Sequence, residues 1–337
     1  VPSTPKQIEF AHKLAEDMKN IGMSDVNIDK HGYVYGTLKA NTDSVSDTIG
    51  FIAHMDTSPE ASDTNISPRE VKYDGGDVIL NKEKNIVLSP KTYPSMNRYK
   101  GQHLIVTDGT TLLGADDKAG AAEIITALEN IIKGGYRHGT VKAAFTPDEE
   151  IGRGADYFDI DGFGADYAYT VDGGALGELE YENFNAASAT VTFKGTSIHP
   201  GSAKGIMKNA CIMAFEFDSM LPQNEVPSQT EGYEGFHHLL GMEGNVEYAK
   251  LSYIIRDHDR AEFERKKQDF IVAADNIRDK YGNTSIEVNI SDSYYNMREL
   301  IEQNIDIIKY MKEAMLKAGV EPVIQPIRGG TDGAKLS

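Results

Sequence analysis

Two stretches in the first half of the chain carry apolar residues at the helical spacing i, i+3, i+4. The first follows Thr4, Pro5 and Gln7, which predict an N-cap, a first-turn proline and a capping-box partner, and it stops at Gly22. The second stops at Gly134. Each stripe predicts a helix with one buried face. The residues predicted to face inward are Ile8, Ala11, Ala15, Met18 and Ile21 in the first helix, and Ala121, Ile124, Ile125, Leu128, Ile131 and Ile132 in the second.

Three short apolar runs predict buried strands at residues 48–53, 140–145 and 166–171. They are rich in β-branched and aromatic residues and lack the polar alternation of a half-exposed strand, as expected where both faces of a sheet are covered. Residues 25–39 alternate and predict a hairpin. Because helical and loop segments separate the strands, we predict an α/β fold with a mixed, mostly parallel sheet and flanking helices.

The second half of the chain changes to alternating strands and long helices. This order predicts a small α+β sandwich inserted into the first domain, with the last elements returning to the main sheet. We therefore predict domain segments at residues 1–184 and 297–337, separated by an inserted domain at 185–296. The strands predicted here are 187–194, 236–242, 246–255, 285–291 and 321–327, and the helices are 204–221, 259–280 and 302–318.

Composition narrows the class of ligand. The formal net charge is -18, with 52 acidic against 34 basic residues, which argues against nucleic acid and anionic membranes as partners. There is no apolar run of about 18 residues and no signal-peptide pattern, and the single cysteine, Cys211, excludes an internal disulfide. We expect a cytoplasmic protein that binds a cation or a small solute. The start at Val1 and the end at Ser337 suggest an excerpt of a longer chain.

Residues 107–120 deliver two adjacent carboxylates, Asp116 and Asp117, at the start of the second predicted helix. Gly109 and Gly114 let the backbone turn sharply before the pair. Acidic residues in a first turn commonly cap the free amide groups of a helix and favour its dipole. The pair is therefore either a helix cap or part of a metal site.

Acidic and histidine residues also follow the three predicted buried strands. Together with the pair Asp116 and Asp117, which follows a strand-like stretch, they make four motifs at predicted strand ends. Each has an ordinary structural explanation as a core histidine, a solvated helix start or a turn acid. Strand ends of one parallel sheet lie on the same side, however, so these side chains can converge. The motifs are His54 with Asp56, Asp116 with Asp117, Glu149 with Glu150, and Asp172 before two glycines.

These residue types fit a two-metal hydrolytic site. Zinc binds imidazole nitrogen and carboxylate oxygen, and two ions about 3.5–4 Å apart need a bridging carboxylate. Hydrolysis also needs a base, and of two neighbouring glutamates one can bind metal while the other takes a proton. Asp56, two residues after His54, is placed to accept the second ring N–H and fix the tautomer of the imidazole.

Nine segments along the chain closely resemble the tripeptide aminopeptidases of the M20 family of zinc peptidases, and they occur in the same order. They are FIAHMDTSPE, TLLGADDKAG, AFTPDEEIGRGA, YTVDGG, ENFNAA, IHPGSAKG, YIIRD, SYYNMRE and PIRGGTDGA. The resemblance implies a zinc peptidase-like catalytic domain with an inserted lid. It also implies hydrolysis of the N-terminal residue from short peptides, chiefly tripeptides, with two Zn²⁺ per subunit.

The resemblance assigns a role to each residue of the predicted metal site. It implies that His54 and Asp172 are terminal ligands of different ions, that Asp116 bridges both ions, and that Glu150 binds the second ion. Glu149 would be the general base and later the acid, with Asp56 orienting His54. The resemblance further implies a cis peptide bond between Asp116 and Asp117.

The inserted domain would be the lid that closes on the substrate. His199 matches the lid histidine that stabilises the oxyanion, and in dimeric relatives this residue comes from the neighbouring subunit. Asn209, Arg256 and Arg328 are candidate substrate anchors, because arginine suits a peptide's terminal carboxylate. The resemblance also allows a homodimer formed through the lid domain.

One departure from the family and two alternative functions stay open. The family takes its fifth metal ligand from a histidine well past GGTDGA, so we expect it beyond Ser337, and without it the second metal site would be weak. Another M20 hydrolase, such as a dipeptidase or an amino-acid deacylase, would share the metal motifs. A non-catalytic metal-binding homologue is the other alternative, but it would not need the base Glu149.

Overall fold

The computed structural model describes residues 2–44 and 46–336 of the 337-residue chain. The chain divides into two compact units, one ending at Gly174 and one running from Ala175 to Lys335. Each unit has its own hydrophobic core. Within the described ranges, no helix is both long and apolar enough to cross a membrane.

The first unit contains nine strands and three helices among its described residues. The predicted first helix, the hairpin and the three buried strands all form, with bounds within a few residues of those expected. The strands are β1 Ser24–Ile28, β2 Val34–Leu38, β3 Ile49–His54, β4 Arg69–Lys72, β5 Val78–Asn81, β6 Ile86–Leu88, β7 His103–Val106, β8 Val141–Thr146 and β9 Tyr167–Thr170. The helices are α1 Pro5–Ile21, α2 Ala115–Gly134 and α3 Ile160–Phe163.

A five-stranded sheet of order β1-β2-β8-β3-β9 organises the first unit. Strands β8, β3 and β9 are parallel to one another, while β2 pairs antiparallel with both β8 and β1. Only β2 in this sheet therefore runs against the other four strands. The predicted mixed, mostly parallel sheet is confirmed.

Both faces of this sheet are covered, which explains the uninterrupted apolar sequence of β3 and β8. On one face α1 and α2 pack against β2, β3 and β8, and on the other Phe163 packs against Ile52 and Ala144. Helix α2 lies so close to the end of β9 that a Cβ on Gly120 would stand 2.2 Å from the carbonyl oxygen of Val171. Glycine at this position therefore allows the close packing of α2 against the edge where the acidic residues lie.

The second unit is built around a four-stranded antiparallel sheet of order β12-β13-β11-β14. Helices α4 and α5 share one apolar core with this sheet, so the predicted α+β sandwich forms. The strands are β10 Glu178–Leu179, β11 Asn185–Lys194, β12 Phe236–Gly244, β13 Tyr248–Asp257, β14 Ile286–Tyr294 and β15 Val323–Ile324. The helices are α4 Ala210–Met220, α5 Arg260–Tyr281, α6 Arg298–Ile301, α7 Asp306–Lys317 and α8 Asp332–Leu336.

Two predicted elements of the second unit differ from the structure. Helix α4 begins at Ala210 rather than near residue 204, because Asn209 caps it, and Ile206 is 51% exposed. The strand predicted at 321–327 shrinks to β15, and the prediction that it returns to the main sheet is wrong, because β15 pairs with β10 in a separate two-stranded parallel sheet. The assignment of residues 297–337 to the catalytic domain stays a prediction, as do the boundaries at 184 and 296.

Candidate metal centre

Three neighbouring parallel strands bring their carboxyl ends to one edge of the first unit's sheet. His54 is the last residue of β3, the Asp148–Glu150 turn follows β8, and Asp172 comes two residues after β9. Since β3 lies between β8 and β9, the side chain of His54 is at the centre of this edge. The convergence predicted for these three motifs is confirmed.

Asp116 and Asp117 reach the same edge by a different route from the one predicted. The preceding strand, β7, pairs only with β4 in a separate two-stranded sheet among the described residues. The chain then turns at Gly114, where φ is 74°, and α2 begins at Ala115, directly before the acid pair. Packing of α2 against β3 delivers the acid pair. The peptide bond between Asp116 and Asp117 is cis, as the resemblance implied.

The imidazole of His54 faces carboxylates through its Nε2 atom. Nε2 lies 2.9 Å from Oδ1 of Asp116 and 3.9 Å from Oδ1 of Asp172. Two groups of potential ligand atoms, each within 4.8 Å of one another, share this histidine. Ligand atoms around tetrahedral zinc are roughly 3.4 Å apart, so both groups suit a cation after small side-chain shifts. The groups are His54 with Asp116 and Glu150, and His54 with Asp117 and Asp172.

The other ring nitrogen of His54 faces Asp56. Nδ1 lies 3.2 Å from Oδ1 of Asp56 and is buried, although the ring N–H is not aligned for a good hydrogen bond. The same carboxylate accepts the backbone N–H groups of Glu149 at 3.0 Å and Glu150 at 3.1 Å. Asp56 therefore links the imidazole of His54 to the turn that carries both glutamates, a connection that its sequence position does not predict.

Asp116 and Asp117 have different surroundings although they are adjacent. Asp117 is 1% exposed, and its two oxygens accept the N–H groups of His54 and Gly120, both at 3.1 Å. The bond from Gly120 is that of an N-cap residue. The side chain of Asp116 is 61% exposed and faces the imidazole. Capping therefore falls to Asp117, which also belongs to one of the two groups of potential ligand atoms, while Asp116 faces the imidazole from a more exposed position.

Crowding of acidic groups around one histidine shifts several pKa values. Burial alone would lower the pKa of His54, but the contact with Asp56 and the carboxylates of Asp172 and Asp117 outweigh it and raise the pKa to about 10. Burial, with the nearby charge of Asp172, raises the pKa of Asp117 to about 7. Burial likewise raises the pKa of Asp172 and of Glu150. A bound cation would relieve this repulsion, and the oxygen and nitrogen donor set suits one.

Metal affinity is expected to rise with pH because protons and metal compete for the same atoms. With a pKa of about 10, the metal-free His54 imidazole is protonated at pH 6–8, so binding through Nε2 must release that proton. The apparent zinc affinity should therefore increase about tenfold per pH unit over this range. Competition with a chromophoric chelator of known pH dependence measures it. A pH-independent affinity would contradict a ligand role for His54.

Lys118 is a further residue of this centre that the sequence patterns did not identify. Its ammonium donates hydrogen bonds to the carbonyl oxygen of Asp56 at 3.2 Å and to Oγ1 of Thr57. Burial lowers the pKa of this amine, while the surrounding carboxylates oppose that shift. A lysine directly after two aspartates is the sequence signal that would have pointed to it.

The predicted oxyanion residue His199 and the predicted anchor Asn209 lie in the second unit. His199 is exposed, and its Nδ1 accepts the N–H of Gly201 at 3.1 Å. In a neutral imidazole the proton then sits on Nε2, which leaves that atom as a donor. Asn209 uses its side-chain oxygen to cap α4 through the N–H groups of Cys211 and Ile212, so its amide NH₂ is the group left to face a ligand.

The two predicted arginine anchors are both tied to backbone carbonyls of the second unit. Nη1 of Arg256 donates to the carbonyls of Ala187 and Ile255. Both terminal nitrogens of Arg328 bind the loop at 230–234, through the carbonyls of residues 230, 232 and 234 and a threonine hydroxyl. The Arg328 guanidinium also lies over the rings of Phe184 and Phe236. Arg328 therefore has a structural task that its motif did not suggest.

Sequence comparison relates the whole chain to named peptidases. It is 55% identical over 339 residues to a peptidase T of Clostridium botulinum strain Loch Maree, which matches all of this chain and 83% of the relative. It is 56% identical over 338 residues to a peptidase T of Geobacillus thermodenitrificans, again over all of this chain and 82% of the relative. The family model described as a peptidase dimerisation domain matches residues 181–282.

Solved structures share the fold. The aminopeptidase PepT of Bacillus cereus superposes with a TM-score of 0.77 at 23% identity, over 97% of this chain and 81% of that chain. A dinuclear metal-binding peptidase of the M20 family from Bacillus subtilis gives a TM-score of 0.63 at 15% identity, over 98% of this chain and 79% of that chain. At these identities the likeness concerns the architecture alone.

Proposed function

This chain belongs to the peptidase T family, and we propose accordingly that it is a metal-dependent aminopeptidase that removes the N-terminal residue from short peptides, chiefly tripeptides. The observation that carries this proposal is the convergence of one imidazole and several carboxylates at one sheet edge. Asp56 joins that cluster to the turn bearing Glu149. A site that only bound metal would not need the base Glu149.

Four residues would hold two zinc ions in this proposal. His54 and Asp172 would be the terminal ligands, Asp116 would bridge, and Glu150 would bind the second ion. The metals would activate water and polarise the scissile carbonyl. The donor atoms available, Nε2 of His54 and the nearby carboxylate oxygens, suit such a cation. A fifth ligand beyond Ser337 stays a prediction, and the curated relatives extend over more sequence than this chain matches.

The remaining chemistry falls to residues of the chain. Glu149 takes a proton from the attacking water and later gives it to the departing amine. Its backbone N–H is held by Asp56, which also faces Nδ1 of His54. His199 donates from Nε2 to the oxyanion, and Arg256 and Arg328, with Asn209, bind the rest of the peptide. The cytoplasmic location and a homodimer through the lid also stay predictions.

Hydrolysis of a peptide series tests the proposed activity. With zinc supplied, we expect tripeptides to lose their N-terminal residue faster than dipeptides or tetrapeptides, and N-acetylated tripeptides to resist cleavage. Chromatography of the products identifies which residue leaves first. Preferred cleavage of dipeptides or of N-acyl amino acids would favour another M20 hydrolase. Zinc binding without any hydrolysis would favour the non-catalytic homologue.

The two arginines are expected to differ when each is replaced by methionine. Arg256→Met should raise KM for tripeptides about tenfold, because a charged hydrogen bond to the substrate is lost. Arg328→Met should raise KM as well and should also lower the free energy of unfolding by about 2 kcal/mol or more, since it releases the loop at 230–234. Urea titration and steady-state kinetics separate the effects. Arg278→Met, which removes a surface pair with Asp275, is the control; equal behaviour of all three would refute the distinction.

A further inference from the structure

The turn that carries Glu149 and Glu150 begins with a residue in an unfavourable backbone conformation. Asp148 has φ 60° and ψ 27°, in the left-handed region that non-glycine residues rarely occupy. The other described non-glycine residues with positive φ, Asp25, Asn65 and Asn85, are exposed, whereas Asp148 is completely buried. Such a residue persists only where its surroundings hold it in place. The contacts of Asp148 are therefore informative.

Those contacts come from the beginning of the chain. The carboxylate of Asp148 accepts hydrogen bonds from the backbone N–H of Ser3 at 2.9 and 3.0 Å, from Oγ of Ser3 at 2.6 Å and from Nε2 of Gln7 at 2.8 Å. The backbone N–H of Asp148 in turn donates to Oε1 of Gln7 at 3.1 Å. Gln7 itself is 6% exposed. Its amide thus makes a two-way contact with a residue 141 positions away.

This contact completes a series of three fixed amide groups. The backbone N–H groups of Asp148, Glu149 and Glu150 are each bound by a side-chain oxygen, the first by Gln7 and the next two by Asp56. The turn is therefore held from two sides. Asp56 holds it from the metal centre, and Gln7 holds it from helix α1, outside that centre.

We propose that Gln7, supported by Ser3, is a positioning residue that sets the direction of Glu149 through the buried Asp148. The inference rests on the proposed function, in which Glu149 is the base. Gln7 makes no contact with the cluster that would hold metal among the contacts described; it acts through the backbone of the turn. A base displaced by about 1 Å can cost a hundredfold in rate, so loss of this contact should lower kcat rather than weaken substrate binding.

Exchanging the donor and acceptor between the two side chains tests the contact. Gln7→Glu places a carboxylate against the carboxylate of Asp148. Asp148→Asn places an NH₂ group next to hydrogen-bond donors, because the N–H and hydroxyl of Ser3 and the amide of Gln7 all donate to Asp148. The double variant restores a complementary pair, in which the new amide at position 148 donates to the new carboxylate at position 7. We expect each single change to lower kcat about 10- to 100-fold with KM nearly constant, and the double variant to recover most of it.

Two further measurements keep folding and metal loss apart from positioning. Bound zinc, measured by mass spectrometry, should be the same in all variants, and exchange of the amide hydrogens at 148–150 should speed up in the single variants and slow again in the double. Gln7→Met, which removes the contact without adding charge, is the milder variant if Gln7→Glu fails to fold. Lys6 lies on the same turn of α1 as Gln7 and forms an exposed ion pair with Asp63. Lys6→Met, which breaks that pair, is the control expected to retain full kcat.

The outcomes distinguish this inference from the proposed function. Unchanged kcat and unchanged amide exchange in the single variants would overturn the positioning role, as would a folded double variant that recovers neither. Faster exchange at 148–150 with unaltered hydrolysis would also overturn it, because the turn would then not control the base. If amide exchange responds as expected but the unaltered protein cleaves no peptide, the proposed function fails while the hold of Gln7 on the turn stands.

Discussion

Replacing Glu149 by glutamine is expected to lower kcat for tripeptides by about 100- to 10,000-fold, the range typical of a lost general base. Glutamine keeps the length and shape of the side chain and the backbone N–H that donates to Asp56. The proposed metal ligands Glu150 and Asp116 are unchanged. The loss should therefore appear in kcat, while KM and zinc content stay close to those of the unaltered protein.

The matched control for this variant is the neighbouring Glu150→Gln. Both glutamates lie in the same half-buried turn, and Asp56 binds both backbone amides. Glu150, however, is proposed to bind metal, so its replacement should lower zinc content, and excess zinc should partly restore activity. Activity of Glu149→Gln should not respond to added zinc. If Glu149→Gln keeps near-normal kcat with zinc bound, Glu149 is not the base.

Replacing Asp116 by alanine is the second change with a large expected effect. If Asp116 bridges the ions as proposed, its loss should reduce bound zinc and lower hydrolysis by at least about 1,000-fold, since a catalytic metal supplies several kcal/mol of charge stabilisation. The stability of the metal-free protein should change little, because the exposed Asp116 side chain loses its contact with the imidazole of His54 but also stops repelling the neighbouring carboxylates. The charge of Asp116 raises the pKa values of Glu150 and Asp172 alongside their burial, so its removal relieves repulsion.

Replacing the adjacent Asp117 by alanine, in contrast, is expected to lower the stability of the metal-free protein. Asp117 binds the N–H groups of His54 and Gly120, and its loss leaves a buried amide and the first turn of α2 without an acceptor. After allowance for relieved repulsion with Asp172, the metal-free protein should lose about 1–2 kcal/mol of unfolding free energy. Urea titrations with a chelator present compare the two variants. Equal destabilisation by both would disprove the division of roles between these aspartates.

Much of the fold follows from local sequence patterns. The stripe in α1, the stop at Gly22 and the apolar runs of β3 and β8 each predict the element that forms. These predictions succeed because the periods of a helix and of a strand are local properties, which burial of one or both faces imposes on consecutive residues. The start of α4 is less predictable. Residues 204–208 also fit a helical pattern, but the helix begins only at Ala210, after its cap Asn209.

A partner far away in the sequence can outweigh a local capping pattern, as Gln7 shows. Its position three residues after Thr4 predicts a capping box, yet Thr4 makes no side-chain cap bond, and the amide of Gln7 binds Asp148 at 2.8 Å, more closely than it approaches the Thr4 hydroxyl at 3.3 Å. The amide of Gln7 gains more from a bond to the charged, buried carboxylate of Asp148 than from a bond to a solvated backbone group. No spacing rule relates residues 7 and 148, since that pairing exists only when α1 packs beside the end of β8.

Residue order is enough to predict the residue types of the candidate metal centre and the strands that present most of them. His54, Glu149, Glu150 and Asp172 stand at or after the ends of apolar runs that predict buried strands, and in the structure these strands are neighbours in one sheet. The way in which the remaining residues divide their tasks emerged only from the folded chain. Whether Asp116 or Asp117 faces the imidazole depends on how the first turn of α2 meets β3. Roles of this kind depend on directions in space, which residue order does not encode.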